Sequence, residues 1–148
     1  MRKYWIGILS LLLLTSCHEE KTSIPDYAVY IDRNLDLDAI ELRTIGNGME
    51  ITEENKKTRE YVGFGGVLLF HGYDDEIYAF DMACPYEVRR EVKVHFDNNI
   101  TPGYVKCESC GSTYNVGYGS GNRIEGPGNE GLKRYNVVLS GNSLKVTR

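Results

Sequence analysis

The chain has 148 residues, a formal net charge of −4 at neutral pH and four cysteines. An acidic chain with no Lys/Arg run is a poor nucleic-acid binder, because contacts to phosphate supply most of that affinity, and it has no polybasic patch to hold an anionic membrane. Once an N-terminal leader is set aside, about 130 residues remain, enough for one domain with a modest core.

Residues 1–17 read as a secretion signal. Arg2 and Lys3 supply the positive end, and Trp5 to Leu14 supply an apolar stretch shorter than the ~20 residues a spanning helix needs. Leu14-Thr15-Ser16-Cys17 resembles a bacterial lipobox, which implies removal of the leader and acylation of Cys17. An uncleaved single-helix anchor is the other reading. The expectation is therefore a protein of the bacterial cell envelope, held by lipid to the outer membrane on its periplasmic or surface face and otherwise soluble. Loss of Arg2 and Lys3 takes the formal charge from −4 to −6. His18-Glu19-Glu20-Lys21 resembles the surface-export signals of some two-membrane bacteria, although a solvated tether over residues 18–26 is the commoner reading.

The domain is expected over residues 27–148. Tyr27 to Asp32 alternates apolar and polar residues, the pattern of a half-buried strand. Asn34 to Ile51 mixes two periods, with a turn signal at Gly46-Asn47-Gly48, and the polar run Glu53 to Glu60 reads as a solvated loop or short exposed helix. Gly63-Phe64-Gly65-Gly66 lacks the Lys-Ser/Thr of a phosphate loop and is followed by a strand, so its glycines mark a turn or bulge. Val67 to Phe70 and Ile77 to Phe80, joined through Asp74-Asp75-Glu76, read as a hairpin. Glu91 to Phe96 alternates again. Tyr104 to Lys106 leads into a cysteine loop, and Val137 to Leu139 with Leu144 to Val146 form a closing hairpin. Nine of the sixteen glycines fall between Gly103 and Gly141, as expected where short strands alternate with tight turns. No long helix and no internal repeat is evident, so the fold class is all-β.

Two loops carry soft ligands: Cys84-Pro85-Tyr86, and Cys107-Glu108-Ser109-Cys110-Gly111-Ser112-Thr113-Tyr114. Such pairs are how small β domains grip iron–sulfur clusters or zinc. Together with Gly126-Pro127 and Leu132 to Val137, they resemble the Rieske [2Fe-2S] family, whose pattern is Cys-x-His, a spacer, then Cys-x-x-His-Gly-Ser-x-Tyr/Phe. The likeness covers roughly residues 60–146. It implies an antiparallel β sandwich with a small two-loop cluster-binding subdomain. By position, Cys84 and Cys107 match the cysteine ligands, while Tyr86 and Cys110 fall where the two histidines belong. Ser112 matches the hydroxyl that bonds a bridging sulfide, Tyr114 the phenol that bonds a cysteine ligand, and Pro127 the covering loop.

The missing imidazoles leave several readings. In the first, which the residues favour, the fold is kept and the cluster lost, with no cofactor and a role as a binding or structural module for an envelope protein partner. A Cys84–Cys107 disulfide would then replace the clamp that the cluster provides, closing a loop of roughly two dozen residues worth ~3 kcal/mol. Export supports it: a cluster is inserted before export and needs a twin-arginine signal, which Arg2-Lys3 is not. In the second, Cys84, Cys107, Cys110 and Tyr86 or an outside ligand hold an altered [2Fe-2S] cluster of lowered potential, making the protein an electron carrier rather than a catalyst. In the third, Cys84, Cys107 and Cys110 hold a single Zn or Fe ion, with a fourth ligand not evident; His71 and His95 sit in or beside strands and read as ordinary strand residues. Thiol–disulfide exchange at Cys107/Cys110 lacks the helix N-terminus that activates such thiols, and no catalytic constellation of Ser/His/Asp or paired carboxylates is present.

Overall fold

The computed structural model describes residues 22–97, 99 and 101–148, so the leader, Cys17 and the start of the tether lie outside the described residues. The chain forms eleven strands and one short 3-10 turn among those residues. β1 (Val29–Asn34) starts two residues after the alternation does. Tyr27 has left the ladder to pack its ring on Phe64, beneath the Arg90 guanidinium. The two-period stretch resolves into a 3-10 turn, Ile40–Arg43, and β2 (Gly48–Ile51). β3 (Tyr61–Val62) follows a loop closed by a bridge between Asn55 and Glu60. That loop corrects one expectation. Glu60 is buried and paired with Arg33 of β1, so the charged run is not solvated throughout.

β4 (Val67–His71) and β5 (Ile77–Asp81) make the expected hairpin, and all ten of their residues are buried. Side chains alternate across a strand, and here both faces are covered. Val67, Leu69, Ile77 and Ala79 enter one core with Ile31, Leu42, Leu144 and Val146. Leu68, Phe70, Tyr78 and Phe80 enter a second core with Val94, Val105, Tyr114 and Val116. A strand buried on both sides reads as an unbroken apolar run, which is why Val67-Leu-Leu-Phe carries no polar residue.

The remaining strands are β6 (Val94–Phe96), β7 (Tyr104–Cys107), β8 (Thr113–Asn115), β9 (Arg123–Glu125), β10 (Arg134–Ser140) and β11 (Ser143–Thr147). The alternation from Glu91 yields a shorter strand than its pattern suggests, because the Val92 carbonyl turns to accept the Cys84 amide at 3.0 Å. Seven strands form one sheet in the order β2-β4-β5-β10-β11-β1-β3, and four form a second in the order β6-β7-β8-β9. β10 changes partner along its length: Arg134 and Tyr135 pair with β5, Asn136 to Ser140 with β11. Every strand pairing is antiparallel. The all-β expectation holds, with the four-stranded sheet as the small second layer. No helix among the described residues is long and apolar enough to cross a membrane.

Asp81, at the end of β5, is fully buried. Its Oδ1 accepts the amides of Gly65 (3.0 Å) and Ala83 (2.8 Å), and its Oδ2 accepts the Phe64 amide (2.8 Å) and the Tyr135 hydroxyl (2.6 Å). All four partners donate, so the carboxyl acts purely as acceptor. Burial first, and then the Asp81 charge, hold the Tyr135 phenol protonated well above its ordinary range. The turn wraps so closely that Gly63, at φ +73°, has no room for a side chain: a Cβ there would lie 2.3 Å from the Tyr135 hydroxyl. Asp81→Ala strands four donors, three of them on buried residues, and is expected to lower unfolding free energy in urea by at least ~3 kcal/mol. Tyr135→Phe, which removes one donor, is expected to cost about half as much.

Candidate metal centre

Two loops and one turn meet at the end of the second core. Cys84 follows Ala83 directly, so the Asp81 carboxylate that holds the Ala83 amide also fixes where the sulfur emerges. The Cys84 loop turns back through Val88, whose amide bonds the Cys84 carbonyl at 2.9 Å and whose φ of +49° is uncommon for a β-branched residue. Cys107 ends β7. Its carbonyl accepts the Gly111 amide at 2.8 Å and its amide bonds the Ser112 carbonyl at 2.9 Å, closing a tight turn that carries Cys110. Ser109 Oγ donates to Glu87 Oε1 at 3.0 Å and so ties the two loops together.

A third segment covers the turn. Ser112 Oγ donates to the Pro127 carbonyl at 3.0 Å, and Arg123 donates to the Gly126 carbonyl at 2.9 Å. The cover sits against the turn so tightly that a Cβ on Gly126, at φ +93°, would lie 2.4 Å from Ser112 Cα. Ser112, Tyr114 and Pro127 thus lie together at this end of the core. Glu87 and Ser109 carried no signal in the sequence, because each finds its partner on the other loop.

The three thiols converge. The Sγ atoms of Cys84, Cys107 and Cys110 all lie within 4.8 Å of one another. Cys84 Sγ stands 3.6 Å from Cys110 Sγ and 3.7 Å from the Tyr114 hydroxyl, and Cys110 donates to Ser112 Oγ at 3.1 Å. Cys84 and Cys107 are fully buried, whereas Cys110 is half-buried. All three are free thiols here, so the Cys84–Cys107 bridge considered above is not formed in this structure.

Tyr86 behaves differently. It is 52% exposed, and its ring lies beside Gly128, where a Cβ would come within 3.1 Å of it. Its hydroxyl has no hydrogen-bond partner among the described residues. Neither histidine among the described residues joins the sulfur group: His71 Nε2 pairs with Asp75 at 3.0 Å, and His95 Nδ1 pairs with Glu50 at 2.8 Å.

No family model and no curated protein sequence matches the chain. Solved structures do. One is the plasma-membrane Rieske protein PetC3 of the cyanobacterium Synechocystis PCC 6803, with a TM-score of 0.52 and 20% identity over 80% of this chain and 99% of that one. The fold is Rieske-like. A chain from the complex of reduced oxygenase and oxidised ferredoxin in carbazole 1,9a-dioxygenase agrees, with a TM-score of 0.51 and 15% identity over 80% of this chain and 93% of that one.

In a Rieske-like domain the resemblance calls for two sulfurs on one iron and two imidazoles on the other. The residues present do not fit that [2Fe-2S] group. One imidazole position holds an exposed phenol, which must ionise before it binds metal well. The other holds a thiol turned toward Cys84.

The thiols also differ in proton affinity. Burial opposes ionisation of Cys110, but the Ser112 hydroxyl and amide, then the Cys84 and Cys107 thiols, outweigh it and hold Cys110 below the ordinary thiol range. Burial pushes Cys107 up, against the Cys110 and Ser109 amides. Thiolate is the reactive form, so Cys110 is expected to be alkylated first, with a pH midpoint below that of a free cysteine. Cys107 is expected to react after Cys110, only at strongly alkaline pH or on unfolding. Mass mapping of iodoacetamide adducts across a pH series checks the order.

Proposed function

We propose that the protein is a lipid-anchored module of the bacterial envelope whose Rieske-like domain serves binding or structure and carries no two-cysteine, two-histidine cluster. The observation that carries this reading is the pair of altered positions: Tyr86 faces solvent, and Cys110 lies 3.6 Å from Cys84. The leader supports the location. Cys17 would bear the lipid, residues 18–26 would span from membrane to domain, and an envelope protein would be the partner. Nucleic acid is not a partner of so acidic a chain.

A second reading, envelope electron transfer on an altered [2Fe-2S] cluster, draws support from Ser112 and Tyr114. Both hydroxyls lie within reach of sulfur, at 3.1 Å from Cys110 and 3.7 Å from Cys84. Hydrogen bonds to sulfur tune such clusters.

Iron and acid-labile sulfide assays on protein exported by its native route separate the two. The first reading expects colourless protein with neither in stoichiometric amount; two irons and two sulfides per chain establish the second. Cys17→Ala is expected to abolish palmitate labelling and to leave the leader attached, read as an increase in mass. Palmitate labelling that persists in the variant would refute the lipid anchor.

A further inference from the structure

We propose that Cys84, Cys107 and Cys110 form a three-thiolate site for one thiophilic d10 ion such as Zn²⁺, with the fourth coordination position open on the Cys110 side. The inference rests on the reading that the two-histidine cluster is absent, and it names the ligand class of that same site.

Distance makes the first argument. Two thiolates on one ion, with metal–sulfur bonds of about 2.3 Å at tetrahedral angles, stand about 3.8 Å apart. Cys84 Sγ and Cys110 Sγ stand 3.6 Å apart, and all three sulfurs fit within 4.8 Å. A disulfide needs about 2.05 Å, so the sulfurs are unbonded and already at the spacing that ligands of one ion require.

The surroundings make the second argument. Three thiolates around a divalent ion leave one net negative charge in a largely buried site, which needs donors. The Ser112 hydroxyl lies 3.1 Å from the Cys110 sulfur. The Tyr114 hydroxyl is 3.7 Å from Cys84 Sγ. Ser112 has a single hydroxyl proton, donated to Pro127 while Cys110 donates to it. When Cys110 gives up its proton, that hydroxyl can swing to the sulfur. Binding therefore releases three thiol protons to solvent and turns no buried donor away from an acceptor without a replacement. All-sulfur coordination excludes hard ions such as Mg²⁺ and Ca²⁺.

Openness makes the third argument. Cys84 and Cys107 are sealed in the second core, but Cys110 is half-buried beside Ser112, which bonds the exposed Pro127 cover. A closed structural site takes four protein ligands, whereas three with one accessible position leave room for water or a partner's donor.

The test uses the full chain, exported by its native route, purified without oxygen and stripped with a chelator. Cd²⁺ serves as the probe, because its thiolate charge-transfer absorption counts the sulfurs bound, and Zn²⁺ is measured by competition with a chromophoric chelator. The proposal expects one ion per chain with three thiolates. Ser112→Ala is expected to weaken binding roughly 10–100-fold, Cys110→Ser at least as much, and Tyr86→Phe not at all. Cys110 is on the open side, so its variant is expected to keep the parent's thermal melt even where Cys84 or Cys107 variants do not.

Absence of binding, equal binding by Cys110→Ser, or a Cys84–Cys107 disulfide in the native protein would each overturn the ion site and leave the cluster-free reading standing. An affinity loss in Tyr86→Phe matching that of Cys110→Ser would overturn the three-thiolate ligand set. Two irons with two sulfides would overturn both.

Discussion

The buried carboxylate of Asp81 fixes the relation between the strands and the sulfur loops. It ends the central β5 strand, gathers the amides of Phe64, Gly65 and Ala83, and takes the Tyr135 hydroxyl from β10. Hydrogen bonds to a charged group contribute about 1.5–3 kcal/mol each, and a buried donor left without one costs as much again. The glycine turn ahead of β4, the start of β10 and the residue before Cys84 are thus set by one side chain. The geometry of the thiol group depends on that arrangement because Cys84 has little independent freedom: its amide is held by Val92 and its carbonyl by Val88.

Around that anchor the Rieske-like fold brings the two cysteine loops and the covering segment together. The turn at Cys107, the Ser112–Pro127 contact and the Tyr114 hydroxyl are all in place. What differs is the donor chemistry. Imidazole binds metal as a neutral ligand, whereas a thiol such as half-buried Cys110 would bind as an anion, and Tyr86 is exposed to solvent. The three sulfurs lie within 4.8 Å of one another, which is the reach of a single ion.

Much of this was legible in the sequence, for definite reasons. The β4–β5 hairpin showed because strands buried on both faces read as continuous apolar runs between glycine and aspartate turns. The sulfur loops showed because Cys-Pro and Cys-x-x-Cys-Gly-Ser are local signals. Burial produced by distant partners stayed hidden. Glu60 sits in a run of charged residues, and only the arrival of Arg33 from β1 takes it inside. The Glu50–His95 contact joins residues on β2 and β6, which belong to different sheets, so no local pattern announces it. The direction in which Tyr86 and Cys110 turn is likewise set by Gly128, Ser112 and the covering loop, not by their neighbours in the chain.

The central claim is that three sulfurs of this Rieske-like domain surround one ion. X-ray absorption at the edge of whatever metal accompanies the protein out of its native membrane tests it most directly. The account predicts a first shell of about three sulfurs near 2.3 Å, a remaining light atom, and no second metal nearby. An iron edge with a short iron–iron vector, or a shell containing imidazole nitrogen, would contradict it.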